Sequence, residues 1–158
     1  MRELSLVLLV SAILFSSCGL TKAPEPVVHD AEKAISDTSK ALSALFFKKD
    51  YAAAYEMFDA EFKKAYLPEN LEGSVVEMIT GYGRIKRLDI DSYSASKSSE
   101  FLSLYASGLN EKGVTYHRFI LKGSGKKGYK MYGLHIMPSP FPVTKDRVTF
   151  KSSYIFKK

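Results

Sequence analysis

The spacing of apolar residues changes near Gly83, and this change limits the fold more than any other feature of the chain. Between about Asp30 and Thr80 the apolar residues recur at steps of three and four, as they do along one face of a helix. After Gly83 they alternate, which is the period of a strand. Helices followed by strands predict an α+β fold in which helices cover one face of a curved antiparallel sheet.

The helical part predicts three helices. The first runs from about Asp30 to Phe47, and the third runs from about Glu69 to Thr80. The second begins at Asp50, after a break that two lysines mark. Both aspartates are suitable N-caps, because a short carboxylate can accept hydrogen bonds from the free N–H groups of a first turn.

The second part predicts a sheet of four to five strands. Four strands are expected over residues 84–95, 101–109, 114–122 and 129–137. The alternation slips inside the first of them, which predicts a bulge or bend near Lys86–Arg87. Prolines then interrupt pairing, and residues 148–156 alternate again, which predicts a late strand at an edge of the sheet.

The first residues have the pattern of an export signal. Leu4 to Phe15 is almost wholly apolar over about 12 residues, roughly 18 Å as a helix, which is too short to cross a bilayer of about 30 Å. The basic residue Arg2 precedes this stretch, and the run Leu14-Phe15-Ser16-Ser17-Cys18 overlaps its end. It resembles the bacterial lipobox, which implies that residues 1–17 are removed and that lipid is attached to Cys18.

This resemblance implies a domain organisation and a location. Residues 1–17 are the lipoprotein signal peptide, 18–28 the lipidated cysteine and its tether, 29–140 the α+β domain, and 141–158 a basic tail. The residue after the cysteine is Gly19 and not aspartate. In this respect the chain resembles lipoproteins of the outer membrane in a bacterium with two membranes. We therefore expect a lipid-anchored cell-envelope protein on the periplasmic face. Cys18 is the only cysteine, so no intramolecular disulfide can form.

The charge is unevenly distributed. Residues 28–81 carry six Lys and Arg against ten Asp and Glu, and residues 82–158 carry fifteen against five. A basic half can bind nucleic acid, but an exported protein does not normally meet nucleic acid, so no such partner is predicted. The basic residues then either face an anionic membrane or glycan, or simply keep the surface solvated.

Three stretches carry a second resemblance. They are the Phe46–Phe58 junction between helices, the Gly81–Ile85 link into the sheet, and the Tyr129–Leu134 strand with Tyr129 in place of the usual tryptophan. Over about residues 30–138 the order of elements resembles the nuclear-transport-factor-like superfamily, also called cystatin-like. That resemblance implies a cone-shaped domain with an apolar cavity. Some members are isomerase-like or dehydratase-like enzymes and many only bind ligands or partners, so the fold leaves function open.

The candidate site residues are histidines and tyrosines. Symmetric pairing of the third and fourth strands would place His117 opposite His135, where they could share a proton or start a metal site. A slip of one residue would instead place them on opposite faces of the sheet, and the two residues could also be ordinary surface or hydrogen-bonded structural histidines. The tyrosines on core-forming elements could line a cavity or donate to an oxyanion, or they could be ordinary core residues; they are Tyr55, Tyr105, Tyr116 and Tyr132.

The sequence leaves three hypotheses about function open. The first is a non-enzymatic lipoprotein whose domain binds a small apolar ligand or a partner protein. The second is a cavity enzyme of the isomerase or dehydratase type, and the third is an accessory subunit of an envelope complex. No residue is assigned to catalysis, to a cofactor or to a metal, and the oligomeric state is left open.

Overall fold

The structure is a computed structural model and describes residues 26–157. The predicted signal peptide and Cys18 lie outside those residues, as does Lys158. The helices are α1 (Ala31–Ser43), α2 (Tyr51–Glu56), α3 (Ala60–Ala65) and α4 (Pro68–Tyr82), and a π-helical turn (Ala44–Lys48) follows α1. The strands are β1 (Ile85–Ala95), β2 (Phe101–Asn110), β3 (Gly113–Ser124), β4 (Gly128–Met137) and β5 (Arg147–Lys157). The predicted α+β fold is confirmed.

The five strands form one antiparallel sheet in the order β4-β3-β2-β1-β5. The strand β5, which comes from the predicted basic tail, pairs with β1 at one edge, and β4 forms the other edge. The register of β1 shifts between Ile85 and Arg87, where the sequence predicts a bulge. A second shift between Ile90 and Ser92 was not predicted. Such bulges bend a sheet and increase its twist.

The predicted caps begin the first two helices. One carboxylate oxygen of Asp30 accepts from the backbone N–H of Lys33 at 2.9 Å, and Asp50 accepts from that of Ala53 at 3.0 Å. Between them, Lys49 has a left-handed backbone (φ 57°) that ends the π-helical turn. The side-chain oxygens occupy N–H groups that have no partner within the helix, which fixes where each helix starts.

The number of helices differs from the prediction, because the described residues form four α-helices where three were expected. The predicted second helix is interrupted at Phe58, which makes a parallel bridge with Met131 of β4 and is only 1% exposed. Asp59 then caps α3 by accepting from the N–H of Glu61 at 2.9 Å. Burial of one large aromatic side chain contributes about 1.5–3 kcal/mol, which offsets the interruption of the helix.

One face of the sheet carries the core. The helices contribute buried side chains that pack on alternate residues of the strands, as the period of two requires. The largest fully buried apolar side chains are Leu42, Leu45 and Phe58 from the helical half and Leu88, Ile90, Leu102, Leu104, Phe119, Leu121 and Met131 from the sheet.

The opposite face of the sheet is partly covered by the segment between β4 and β5 and by the first residue of β5. The ring of Phe141 packs edge-on against Tyr105 at a centroid distance of 5.9 Å. The guanidinium of Arg147 lies 4.1 Å from the centroid of the same ring, and its Nε donates to Ser92 Oγ at 2.8 Å. The outer face of β2 is therefore buried in part, which the alternation of β2 alone does not predict.

The chain enters the domain at the end of the sheet that carries the β1–β2 and β3–β4 turns. The N–H of Val27 donates to the carbonyl of Lys97 and the carbonyl of Val28 accepts from Gly125, both at 2.9 Å. Tyr129 accepts from the N–H of Asp30 at 2.8 Å. Residues at the end of the predicted tether are thus bound to the domain. Among the residues that the structure describes, no helix has both the length and the apolar character needed to cross a membrane.

A candidate binding cleft

A cleft of about 610 Å³ lies between the helices α3 and α4 and the edge strand β4. Its walls are mainly apolar and aromatic. The helical residues that line it are Phe58, Phe62, Tyr66, Leu71, Ser74, Val75, Glu77, Met78, Gly81 and Tyr82, and the strand residues are Gly133, Leu134, His135 and Ile136. Its volume is within the range of pockets that hold small organic ligands.

The long wall of the cleft is one face of α4. Leu71, Val75 and Met78 follow one another at helical steps and are buried, so they face the body of the domain. Pro68 stands in the first turn, where its missing N–H has no partner to lose. The helix ends at Tyr82 and is capped by Gly83, whose φ of 81° favours glycine. Pro68 and Gly83 set the length of the wall.

A row of three aromatic rings forms the floor at one end. Phe58 and Phe62 lie 4.5 Å apart between ring centroids, and Phe62 and Tyr66 lie 5.1 Å apart. The hydroxyl of Tyr66 is 2.5 Å from Ser74 Oγ on α4. Aromatic pairs at these distances contribute about 0.5–1.5 kcal/mol beyond their burial, so the row stabilises the α3 side of the cleft, and the Tyr66–Ser74 hydrogen bond links it to α4.

The chemistry of the cleft favours apolar contacts. The carboxylate of Glu77 and the imidazole of His135 are its charged or basic side chains, and both residues are exposed. The hydroxyl of Tyr66 is already paired with Ser74. The remaining lining can exclude water from an apolar group, which is the main source of affinity in such a pocket.

The symmetric register that would pair His117 with His135 does not form, and the strands are slipped by one residue, which is the other register that the sequence left open. His117 pairs with Ile136, and His135 pairs with Arg118, so the two imidazoles are on opposite faces of the sheet. The cause is a register shift at Ile120/Leu121, where β4 carries one extra residue, Tyr132. One inserted residue moves every later residue of β4 to the other face.

His117 lies in the core, where it is 0% exposed. Its Nε2 is 2.9 Å from Thr115 Oγ1, and that oxygen accepts a hydrogen bond from the side-chain amide of Asn110 at 2.6 Å. Within residues 26–157, neither His117 Nδ1 nor Asn110 Oδ1 has a hydrogen-bond partner. Burial lowers the pKa of His117 to about 4, since a charged imidazole would lose its hydration. His117 is therefore neutral near pH 7. It does not line the cleft.

Two of the predicted tyrosines are buried but do not line the cleft. The hydroxyl of Tyr55 donates to the carbonyl of Tyr66 at 2.8 Å and lies 3.1 Å from that of Lys63, which ties α2 to the end of α3. Tyr105 is on the outer face under Arg147, and its hydroxyl is 3.2 Å from Ser94 Oγ. Both hydroxyl groups have structural partners.

The other two tyrosines are on the outer face of the sheet. Tyr116 pairs with Ser107 and Met137 and is half-buried. Tyr132 packs edge-on against Phe101 at 4.9 Å, with the ammonium of Lys122 5.9 Å from its ring centroid. Of the six predicted histidines and tyrosines, only His135 lines the cleft. The helical spacing of Leu71, Val75 and Met78 is a sequence signal that could have indicated its wall.

Among the described residues, no group of three or more His, Cys, Asp or Glu side chains is arranged to hold a metal ion. No protein-family model matches the chain, and no curated protein or solved structure is significantly similar to it. The proposed function therefore depends on the cleft and on the sequence patterns.

Proposed function

We propose that this chain is a bacterial envelope lipoprotein, anchored by lipid on Cys18, whose domain binds an apolar ligand or an apolar part of a partner protein. The observation that carries the binding function is the apolar cleft of about 610 Å³ between α3, α4 and β4. An apolar group that leaves water gains about 25 cal/mol for each Å² that it buries, so a cleft with this lining favours such groups.

The anchor is proposed from the sequence. The apolar run Leu4–Phe15, the small residues after it and Cys18 form the lipobox-like pattern. A lipid chain contributes about 0.8 kcal/mol for each buried methylene, and two chains give stable anchoring. The outer membrane, on its periplasmic face, is the proposed location if the organism has two membranes.

The architecture is proposed to be the cone of the cystatin-like superfamily. Helices that precede an antiparallel meander support this proposal, and so do the bulges in β1 and β4, because bulges give a sheet its curvature. Such a cone implies an apolar cavity between the helices and the sheet, and the cleft between α3, α4 and β4 is proposed to be that cavity.

Binding is proposed in preference to catalysis. An isomerase or dehydratase of this type needs a general base within hydrogen-bond reach of the reacting group, beside an oxyanion donor. The tyrosine hydroxyl at Tyr66 bonds to Ser74, and the buried His117 bonds to Thr115. Glu77 and His135 also line the cleft, but both are exposed to water, and an apolar occupant requires none of these four groups.

A neutral apolar dye tests the binding function. The core and the sheet lie within residues 26–157, so the domain without its signal peptide is the protein to use. N-phenylnaphthylamine should become fluorescent on the domain, and Gly81→Leu should abolish the signal by filling the cleft. A Cβ on Gly81 would have no atom within 4 Å, so the added side chain starts in open space.

Gly73→Leu is the matched control. Gly73 is on the same helix and also has open space around an added Cβ, but it does not line the cleft. Both substitutions should stabilise α4 by roughly 0.5–1 kcal/mol, and only Gly81→Leu should reduce dye binding. Equal binding by the two variants would contradict the assignment of the cleft.

The anchor has its own test. The full chain, produced in a bacterial host that is fed radioactive palmitate, should carry label and sediment with membranes. Cys18→Ser should lose both properties, because no thiol remains to accept lipid. Label that persists in the variant would refute attachment at Cys18.

A further inference from the structure

We propose that the occupant of the cleft is an extended peptide segment of a partner protein, which adds to the sheet as a sixth strand beside β4. This inference rests on the proposed binding function and names the class of partner. Its basis is that one wall of the cleft is a strand edge, formed by Gly133 to Ile136, and not a side-chain surface alone.

The backbone groups that face the cleft follow from the hydrogen bonds of the neighbouring strands. The N–H of Gly123 donates to the carbonyl of Glu100. The backbone N–H and C=O groups of Gly123, and of every second residue of β3 before it, therefore point towards β2. Phe119 and His117 belong to that set. Their partners on β4 are Leu134 and Ile136, whose N–H and C=O groups therefore point away from β3, towards the free edge.

The chain already adds a short strand at the start of this edge. Phe58 makes a parallel bridge with Met131, and the N–H of Asp59 donates to the carbonyl of Met131 at 2.8 Å. At Asp59 the chain turns into α3 and leaves the edge. Within residues 26–157, β3 is the only segment that pairs with β4 beyond Met131, so the opposite edge of β4 has no strand beside it there. A peptide at Gly133–Ile136 would continue the position of Phe58, over about 13 Å for four residues.

The combination of groups distinguishes a peptide from a lipid chain. An acyl chain would cover the apolar side chains of α4 but leave the N–H and C=O groups of Leu134 and Ile136 without partners in a site it had dried, which is unfavourable. An extended peptide supplies both the backbone partners and, at every second residue, an apolar side chain that points at Val75 and Met78. We therefore expect bound peptides to alternate apolar and polar residues.

The test begins with a random linear peptide library displayed on phage. The target is the full chain in lipid nanodiscs, and empty nanodiscs remove lipid-binding phage. Selected peptides should alternate apolar and polar residues and compete with N-phenylnaphthylamine for the domain. N-methylation along one such peptide should then weaken binding roughly tenfold at every second position and little at the positions between, since only alternate N–H groups face β4.

Two variants at one position test the edge itself. Leu134→Pro removes the outward N–H, and proline is tolerated on an edge strand whose N–H faces away from the sheet. Leu134→Ala shortens the side chain to a similar extent but keeps the N–H. Peptide affinity should fall roughly tenfold further in the proline variant than in the alanine variant, while the dye should bind both alike. If Leu134→Pro does not fold, the N-methylation pattern on the unaltered protein decides.

The outcomes separate the two proposals. Dye binding that Gly81→Leu abolishes, together with no selected peptide or with binding that is indifferent to N-methylation, overturns the peptide inference and leaves the apolar cleft. If self-association slows backbone hydrogen exchange at residues 133–137 and no peptide binds, the edge pairs with a second copy of the chain. That result also overturns the peptide inference. Absence of both dye and peptide binding defeats the proposed function as well.

Discussion

The buried imidazole of His117 should make this protein lose stability between neutral and mildly acidic pH. The pKa of the group falls from 6.5 in the unfolded chain to about 4 in the folded protein, because burial disfavours the charged form. Between those values the unfolded chain binds a proton that the folded protein does not bind. Stability is therefore complete above pH 6.5 and decreases as the pH falls towards 4.

The magnitude follows from the difference between the two pKa values. One proton taken up only by the unfolded chain changes the free energy of unfolding by about 1.36 kcal/mol per pH unit. Over the interval from 6.5 to about 4, His117 should contribute a loss of about 3 kcal/mol. A domain with an overall stability of about 5–15 kcal/mol would lose a substantial share.

Urea unfolding at several pH values measures the effect. His117→Gln keeps an amide that can bond to Thr115 but cannot take up a proton, so its stability should fall much less between pH 7 and 4. His135→Gln replaces an exposed histidine on the neighbouring strand and keeps the steep dependence, because His117 is still present. Parallel loss of stability in the wild type and in His117→Gln would refute the reasoning.

Two further substitutions test the packing around the site. Phe58→Ala should destabilise the domain by about 3–5 kcal/mol in urea unfolding, since the ring is 1% exposed, whereas Phe101→Ala, at 38% exposed, should cost much less. Gly108→Ala should lower the thermal midpoint, because its Cβ would lie 2.6 Å from Nε2 of His117, and overpacking of this kind typically costs about 1–3 kcal/mol. An unchanged midpoint would mean that the His117 ring is free to move.

The helix starts were predictable because they depend on neighbouring residues. Asp30 and Asp50 cap helices through backbone N–H groups three residues away, and this interaction is local in the chain. The slip in the alternation at Lys86–Arg87 was also visible, since both sides of that bulge are on one strand. The end of the second helix was not, because Phe58 leaves it to meet Met131, which is distant in the sequence.

The candidate site was largely beyond prediction. His117 and His135 do not pair because the single extra residue Tyr132 shifts the register between β3 and β4. Nothing in the local sequence of β4 marks the position of that shift. The tyrosines were candidates for a cavity from their residue type, with ordinary core packing as the alternative, and Tyr55 and Tyr105 have structural partners. Residue type indicates what a side chain can do, but neighbours decide which of its groups remain available.

The sequence by itself determined the α+β class, the order of helices and strands and the first two caps, because periodicity and capping act between residues close in the chain. Only the tertiary structure decided the register of β4, the split of the second helix and the cleft between α4 and the sheet edge. Those features depend on how segments far apart in the chain fit together, where one inserted residue or one buried ring changes which groups meet.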